Sequence, residues 1–313
     1  MSLIEKVVRK VLVNASSILK LFERPLINKY GRNPIHQPVF IIGAPRTGST
    51  ALYQSVTERF RVTYFDNLMD YLNRNPILGT LLSNFFFGES GHSSFESELG
   101  RTFKSGLHSP SECGAFWYRW LPRDRHYIVA EEVSEESKMK LKEEIIAISN
   151  LRKQPLVFKN LNAGQRLSLI YELFPNSKVI FIRREPLFTV QSIVKAKQKL
   201  NIPLDQFWSI KPKNFEKLEK LTWAKQIVGQ VFYLEKQIEE DIKLFDNHLI
   251  VRYEDFINDS ESITRKVGKF IFDEEIVERK CRATPKIRAR NQIKLSNEMI
   301  EEIEKELSCY YAD

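Results

Sequence analysis

The 313 residues are 42% hydrophobic and 28% charged, an ordinary globular composition that excludes a disordered chain and suffices for one large core or two smaller ones. The formal net charge of +8 suits a polyanionic ligand, nucleic acid or an acidic membrane surface alike, so the total selects none of them. Cys113, Cys281 and Cys309 are odd in number and far apart, which excludes a disulfide framework and metal-ligand spacing and points to a reducing, cytoplasmic compartment.

Residues 3–22 carry Ile4, Val8, Val11, Leu12, Ala15, Ile18, Leu19 and Phe22 at helical spacing, with Lys6, Arg9, Lys10 and Lys20 mostly on the other side. The charges interrupt any secretory signal, and no apolar run reaches the length of a membrane span. Two readings stay open for this helix: docking on its own core or a second subunit, or peripheral contact with the inner membrane surface. Residues 1–30 read as a helical extension. Residues 31–313, with no linker and no repeat, read as a single domain.

The run Val39–Ile42, the loop 43–50 and a helix to about Arg59 read as strand, loop, helix. Further strands are expected over Arg61–Phe65, Pro155–Lys159, Lys178–Ile182 and Leu249–Arg252. Helices are expected over Glu112–Leu121, Ser134–Asn150, Ala163–Phe174, Pro186–Lys199, Asn214–Phe245 and Ser296–Leu307, with residues 74–110 as a long excursion. This alternation predicts an α/β fold, a three-layer α/β/α sandwich around a parallel sheet with a helical C-terminal part. Ligands belong at the carboxyl ends of its strands, where the loop 43–50, Lys159 and Arg183-Arg184 all fall.

The loop reads Gly-Ala-Pro-Arg-Thr-Gly-Ser-Thr from Gly43 to Thr50, the G-x-x-x-x-G spacing of a phosphate-cradling P-loop. Ser49 stands where a nucleoside-triphosphate loop carries lysine, and Arg46 can instead hold two oxygens of one anion in a planar fork. A second anion site is suggested by Arg184-Glu185-Pro186 with Ser192 about two turns into the following helix. Alone, that turn is common. A nucleotide-dependent kinase is the competing reading, but it lacks the lysine and an Asp-ended strand for Mg²⁺.

Four segments, PVFIIGAPRTGST (38–50), LVFKN (156–160), FPNSKVIFIRREPLFTVQS (174–192) and LIVRYEDF (249–256), resemble the sulfotransferases that use 3′-phosphoadenosine 5′-phosphosulfate. The resemblance is to the bacterial and tyrosylprotein-type branch, because Arg46 stands where cytosolic enzymes carry lysine. It implies that Arg46, Thr47, Gly48, Ser49 and Thr50 hold the 5′-phosphosulfate, that Arg184 and Ser192 bind the 3′-phosphate, and that Tyr253 lies near the adenine. No metal is expected, since the donor has no triphosphate to bridge.

Lys159 is suited to neutralise charge on the departing oxygen. Asn160, Leu161 and Asn162 follow it, so the histidine base of the cytosolic branch is missing, and Glu112, Asp66 and His108 are the candidate bases. The run 279–294 is one-sidedly basic, and the resemblance implies that Arg288 or Arg290 within it caps the 3′-phosphate. Phe116, Trp117, Tyr118 and Trp120 beside Arg123, Arg125 and His126 suit either a sugar platform or core plus rim. A hydroxyl of a glycan, glycolipid or small metabolite is the expected acceptor. Nucleic acid is not expected, because no recognisable binding motif joins the basic residues to aromatics.

Overall fold

A computed structural model of the chain describes residues 3–93, 95–98, 100, 102, 105–279 and 291–312, with residues 3–15 described by backbone alone. Four short apolar segments form one parallel sheet: β1 (Val39–Ile42), β2 (Val157–Lys159), β3 (Lys178–Arg183) and β4 (His248–Arg252). Their order is β2-β1-β3-β4, with Phe40 opposite Phe158 and Val179, and Ile180 opposite Leu249. Near-continuous apolar strands require cover on both faces, and alternate side chains go to opposite layers.

Phe40, Ile42, Phe158, Val179 and Phe181 pack against α6 (Glu135–Arg152), α7 (Leu167–Leu173) and Ile238 of α10 (Trp223–Asp241). Val39, Ile41, Val157, Ile180, Ile182 and Val251 pack against α2 (Ser49–Arg59), α11 (Tyr253–Asn258) and α12 (Ser260–Phe272). A third cluster joins α10 to α8 (Pro186–Lys199) and α13 (Asn297–Tyr310). The expected three-layer architecture is present.

Several boundaries differ from the sequence reading. Residues 61–65 do not form a continuous ladder: Thr63 pairs in parallel with Leu156, while Arg61 N donates to Val277 O (2.8 Å) on the other side. Within 112–121 only α5 (Gly114–Trp117) is α-helical, because Cys113 takes the left-handed conformation at φ 42°. The expected helix 214–245 breaks into α9 (Phe215–Leu218) and α10, with the Gln226 side chain donating to Glu219 O across the gap. A 3₁₀ turn precedes α7.

A short helix, α3 (Asn67–Tyr71), precedes the excursion, and α4 (Pro76–Phe87) lies within it. Asp66 caps α3: its Oδ1 accepts from Met69 N (2.8 Å) and its Oδ2 from the Ser83 hydroxyl (2.5 Å). The long α1 (Leu3–Tyr30) docks through its C-terminal half, where Leu26, Ile27 and Tyr30 pack against the core. Glu23 is buried and accepts from Ile77 N (2.7 Å), Leu78 N (3.0 Å) and the Asn75 amide (3.0 Å), so a carboxylate from α1 satisfies the open N–H groups of α4. Among the described residues no helix is long and apolar enough to cross a membrane.

Phe40 of central β1 stacks on Phe158 of the edge strand β2 at 5.3 Å. Phe40→Ala is therefore expected to destabilise by about 3–5 kcal/mol in urea unfolding. Burial pushes Asp66 up to about 6, above its ordinary range, so the folded state holds a proton there that the unfolded chain releases near its normal pKa. Relative to Asp66→Asn, the unmodified chain should lose stability as pH rises from about 4 to about 6. Parallel stability curves for the two proteins over that window would contradict this assignment.

Candidate active site

The turn after β1 is shaped by two left-handed residues, Arg46 (φ 70°) and Gly48 (φ 89°). A Cβ on Gly48 would lie 2.3 Å from the Tyr253 ring, so conformation and space both demand glycine. Thr47 is buried with its hydroxyl donating to Ala44 O (2.9 Å), which tightens the loop from inside. Gly48 then leads into α2, its carbonyl accepting from Ala51 N and Leu52 N and leaving the helix N-terminus at the loop's mouth. Ser49 and Thr50 are the first residues of that helix.

Three strand ends meet at this loop. Arg184, one residue beyond β3, is buried and lies over the Tyr253 ring at 4.6 Å. Its Nη1 donates to Arg46 O (3.1 Å), and its Nε and Nη2 both donate to Asn291 Oδ1 (3.0 and 2.7 Å). Arg46 Nε donates to the Ser192 hydroxyl (3.2 Å) on α8. Arg46, Arg184, Ser192 and Tyr253, separate in the sequence, are thus one hydrogen-bonded and stacked group. Arg288 and Arg290 lie outside the described residues.

Asn291 and Glu254 belong to this group and escaped the sequence reading. The Asn291 amide donates to Glu254 Oε1 (3.0 Å), which also accepts from Glu185 N (3.1 Å). The adjoining chain is fixed as Gln191 donates to Gln292 O (2.8 Å) and accepts from Lys294 N (2.6 Å). The only signal for Asn291 in the sequence is its position at the end of the basic run, a place with no distinctive spacing.

The other end of the loop faces β2. Lys159 has a fully buried side chain and pairs with the carboxylate of Glu112, which is 40% exposed. Glu112 does not open a helix: it sits in the loop before α5, held as Ser111 N donates to Phe65 O (2.7 Å) and Cys113 N to the Ser111 hydroxyl (3.1 Å). The open side of Gly100 faces Thr50 Oγ1, Glu112 Oε1 and Lys159 Nζ at 3.4, 3.6 and 3.9 Å from an ideal Cβ. The Thr50 hydroxyl in the first turn of α2, a carboxylate and an ammonium therefore converge on one spot. This arrangement can accept a proton and stabilise a developing negative charge at neighbouring positions.

The other two candidate bases are engaged elsewhere. Asp66 is the cap of α3. The His108 ring lies between Phe87 (4.2 Å) and Tyr64 (5.7 Å), with Nε2 2.8 Å from the Tyr64 hydroxyl. Burial, helped by His92, Arg279 and Arg152, pushes its pKa down to about 4. Both residues line a small side cavity with Ser83, Arg152 and Arg279.

In the aromatic-basic segment Phe116 and Trp117 are core. Tyr118 is at the rim, accepting from the Asn162 amide (2.9 Å) beside Arg123 and Arg166. Among the described residues no group of three or more His, Cys, Asp or Glu could hold a metal ion.

Residues 38–272 match the model of the sulfotransferase family. No curated protein matches the chain. The structure is similar to that of the sulfotransferase STF9 from Mycobacterium avium, with a TM-score of 0.53 and 12% identity over 100% of this chain and 79% of that one. The sulfotransferase from Alicyclobacillus acidocaldarius aligns with a TM-score of 0.47 and 13% identity, covering 88% of this chain and 95% of that one. At 12% identity the likeness to the Mycobacterium avium structure speaks for the fold alone, while the family match runs from the strand before the loop to the end of α12. The chain with the lysine-free loop and the buried Lys159 paired with Glu112 is an enzyme of the sulfotransferase family.

Proposed function

We propose that the protein transfers a sulfuryl group from 3′-phosphoadenosine 5′-phosphosulfate to an acceptor hydroxyl. The observation that carries this reading is the junction at Arg46, whose carbonyl accepts from Arg184 while its side chain donates to Ser192. A donor with two separated anionic groups needs two linked anion sites on one sheet edge. The loop with Arg46, Thr47, Gly48, Ser49 and Thr50 suits the phosphosulfate, and Arg184 with Ser192 suits the 3′-phosphate. Tyr253 holds both parts together on the side we assign to the adenine. The contact of Asn291 with Arg184 brings the end of the basic run to the same place, which supports closure of Arg288 or Arg290 over the 3′-phosphate.

In the proposed reaction the acceptor oxygen attacks sulfur in line with the bridging oxygen of the donor. Glu112 takes the hydroxyl proton as the new S–O bond forms. The bond from sulfur to the bridging oxygen breaks, and Lys159 stabilises the charge left on 3′,5′-adenosine bisphosphate. Glu112 is favoured over Asp66 and His108 because it alone of the three is paired with Lys159. We assign the acceptor to a glycan or glycolipid, resting on Tyr118 at the rim with the exposed Arg123 beside it. The unbridged Cys113 and Cys309 support a reducing, cytoplasmic setting.

At about 100 times its dissociation constant, 3′,5′-adenosine bisphosphate should stabilise the protein by about 2.7 kcal/mol in thermal unfolding. Arg184→Ala should abolish most of that shift. A larger shift with ATP and Mg²⁺ would overturn the donor assignment. Glu112→Gln should retain bisphosphate binding and lower kcat by about 10²–10⁴-fold. An unimpaired rate in that variant would transfer the role of base to Asp66 or His108.

A further inference from the structure

Two helices tied together by Glu23 leave apolar side chains in water. On α4, Phe85 is 81% and Phe86 64% exposed, with Leu82 beside them one turn earlier. On α1, Leu21 is 71% and Phe22 64% exposed, with Ile18 a turn away. Residues at these spacings share a helix face, so each helix carries an apolar band on the side opposite its packing. The inward side of α1 is used by Ser16, Glu23, Leu26 and Ile27. Six large apolar side chains exposed on adjacent helices exceed the scattered exposure normal for a monomer.

The charges around this surface identify its occupant. The twelve residues of α4 include no charged side chain. The α1 helix carries six Lys or Arg against Glu5 and Glu23, and Glu23 is turned inside to cap α4. Exposed Lys20 and Arg24 flank the Leu21–Phe22 band directly. A second copy of this chain meeting the surface across a two-fold axis would set one basic α1 close to another. A bilayer with anionic headgroups accepts both features, aromatic and aliphatic side chains below the headgroups and Lys or Arg among the phosphates.

We infer that the exposed faces of α1 and α4 together form a docking surface for an anionic phospholipid bilayer, with the protein lying on the membrane rather than crossing it. The inference extends the reading of α1 in two ways. The helix docks on its own domain and still presents a second face, and α4, which has no basic residue to mark it, supplies half of the apolar contact.

The test is sedimentation of the full chain with vesicles of phosphatidylcholine alone or with about one-third phosphatidylglycerol. The unmodified protein should sediment with the anionic vesicles and bind the neutral ones at least about tenfold less. The pairs Phe85→Ser/Phe86→Ser and Leu21→Ser/Phe22→Ser should each lower anionic binding about tenfold, and Lys20→Glu/Arg24→Glu should remove the preference for anionic lipid. All three variants should keep the thermal shift with 3′,5′-adenosine bisphosphate, which reports their folding and keeps this test separate from that of the donor. The inference fails if the unmodified chain stays in the supernatant, or if the variants sediment as it does. It also fails if the chain is a dimer in solution that the Phe85/Phe86 pair dissociates, since a second copy would then cover the surface.

Discussion

The site depends on the packing of Tyr253 against Gly48. The ring occupies the space where any side chain at position 48 would have to go, and Gly48 supplies the left-handed residue that starts α2. Tyr253 opens α11 at the end of β4, so this contact ties the chain after the edge strand to the loop after β1, with β3 between them. Arg184 closes the gap by lying over the same ring. Its donors reach Arg46 O and Asn291 Oδ1, so a buried guanidinium is held in place by the loop after β1 and by the chain that follows the basic run. A buried cation of this kind, already oriented and desolvated, pairs strongly with an incoming anion because little reorganisation is left to make.

The sheet divides the labour between its two sides. The ends of β1, β3 and β4 hold the group around Arg46 and Arg184, while the ends of β1 and β2 hold Thr50, Lys159 and Glu112. Lys159 is one of the few cations fully withdrawn from water, and its partner carboxylate is part-exposed. Such a pair is costly to break from one side, because the lysine would remain buried without a counter-charge. The geometry therefore fixes the carboxylate at the β2 end of the loop, in the turn before α5 rather than at a helix N-terminus. It also explains why the loop carrying Glu112 is anchored at Ser111 to Phe65 and through the Ser111 hydroxyl to Cys113.

The N-terminal helix shows how one element can serve two environments. Its inward side is committed by a buried glutamate that completes the first turn of α4, a contact that costs desolvation and is repaid by three N–H donors. Its outward side stays apolar and basic. The amphipathic pattern in the sequence therefore held two readings at once, and the structure assigns docking on the domain to residues from Ser16 onward.

Most strand and helix identities, the parallel sheet and the glycine-shaped turn after β1 were legible in the sequence because they rest on local information: side-chain period, glycine spacing, a cap or proline at a helix start. Places where a neighbour in space overrides that pattern were not legible, such as Cys113 turning left-handed within an apparent helix, or Gln226 bridging the break before α10. The same division runs through the site. Arg46, Arg184 and Lys159 could be named from residue type and position after strands, Ser192 from its spacing in the following helix, and Tyr253 only from the resemblance to a known family. That Arg184 meets Asn291 across 107 residues, and that Lys159 meets Glu112 rather than Asp66 or His108, follows from which strand ends are adjacent and which loops cross them. Hydrogen bonds and ion pairs act over a few ångströms, so only the folded chain decides which distant residues come within reach.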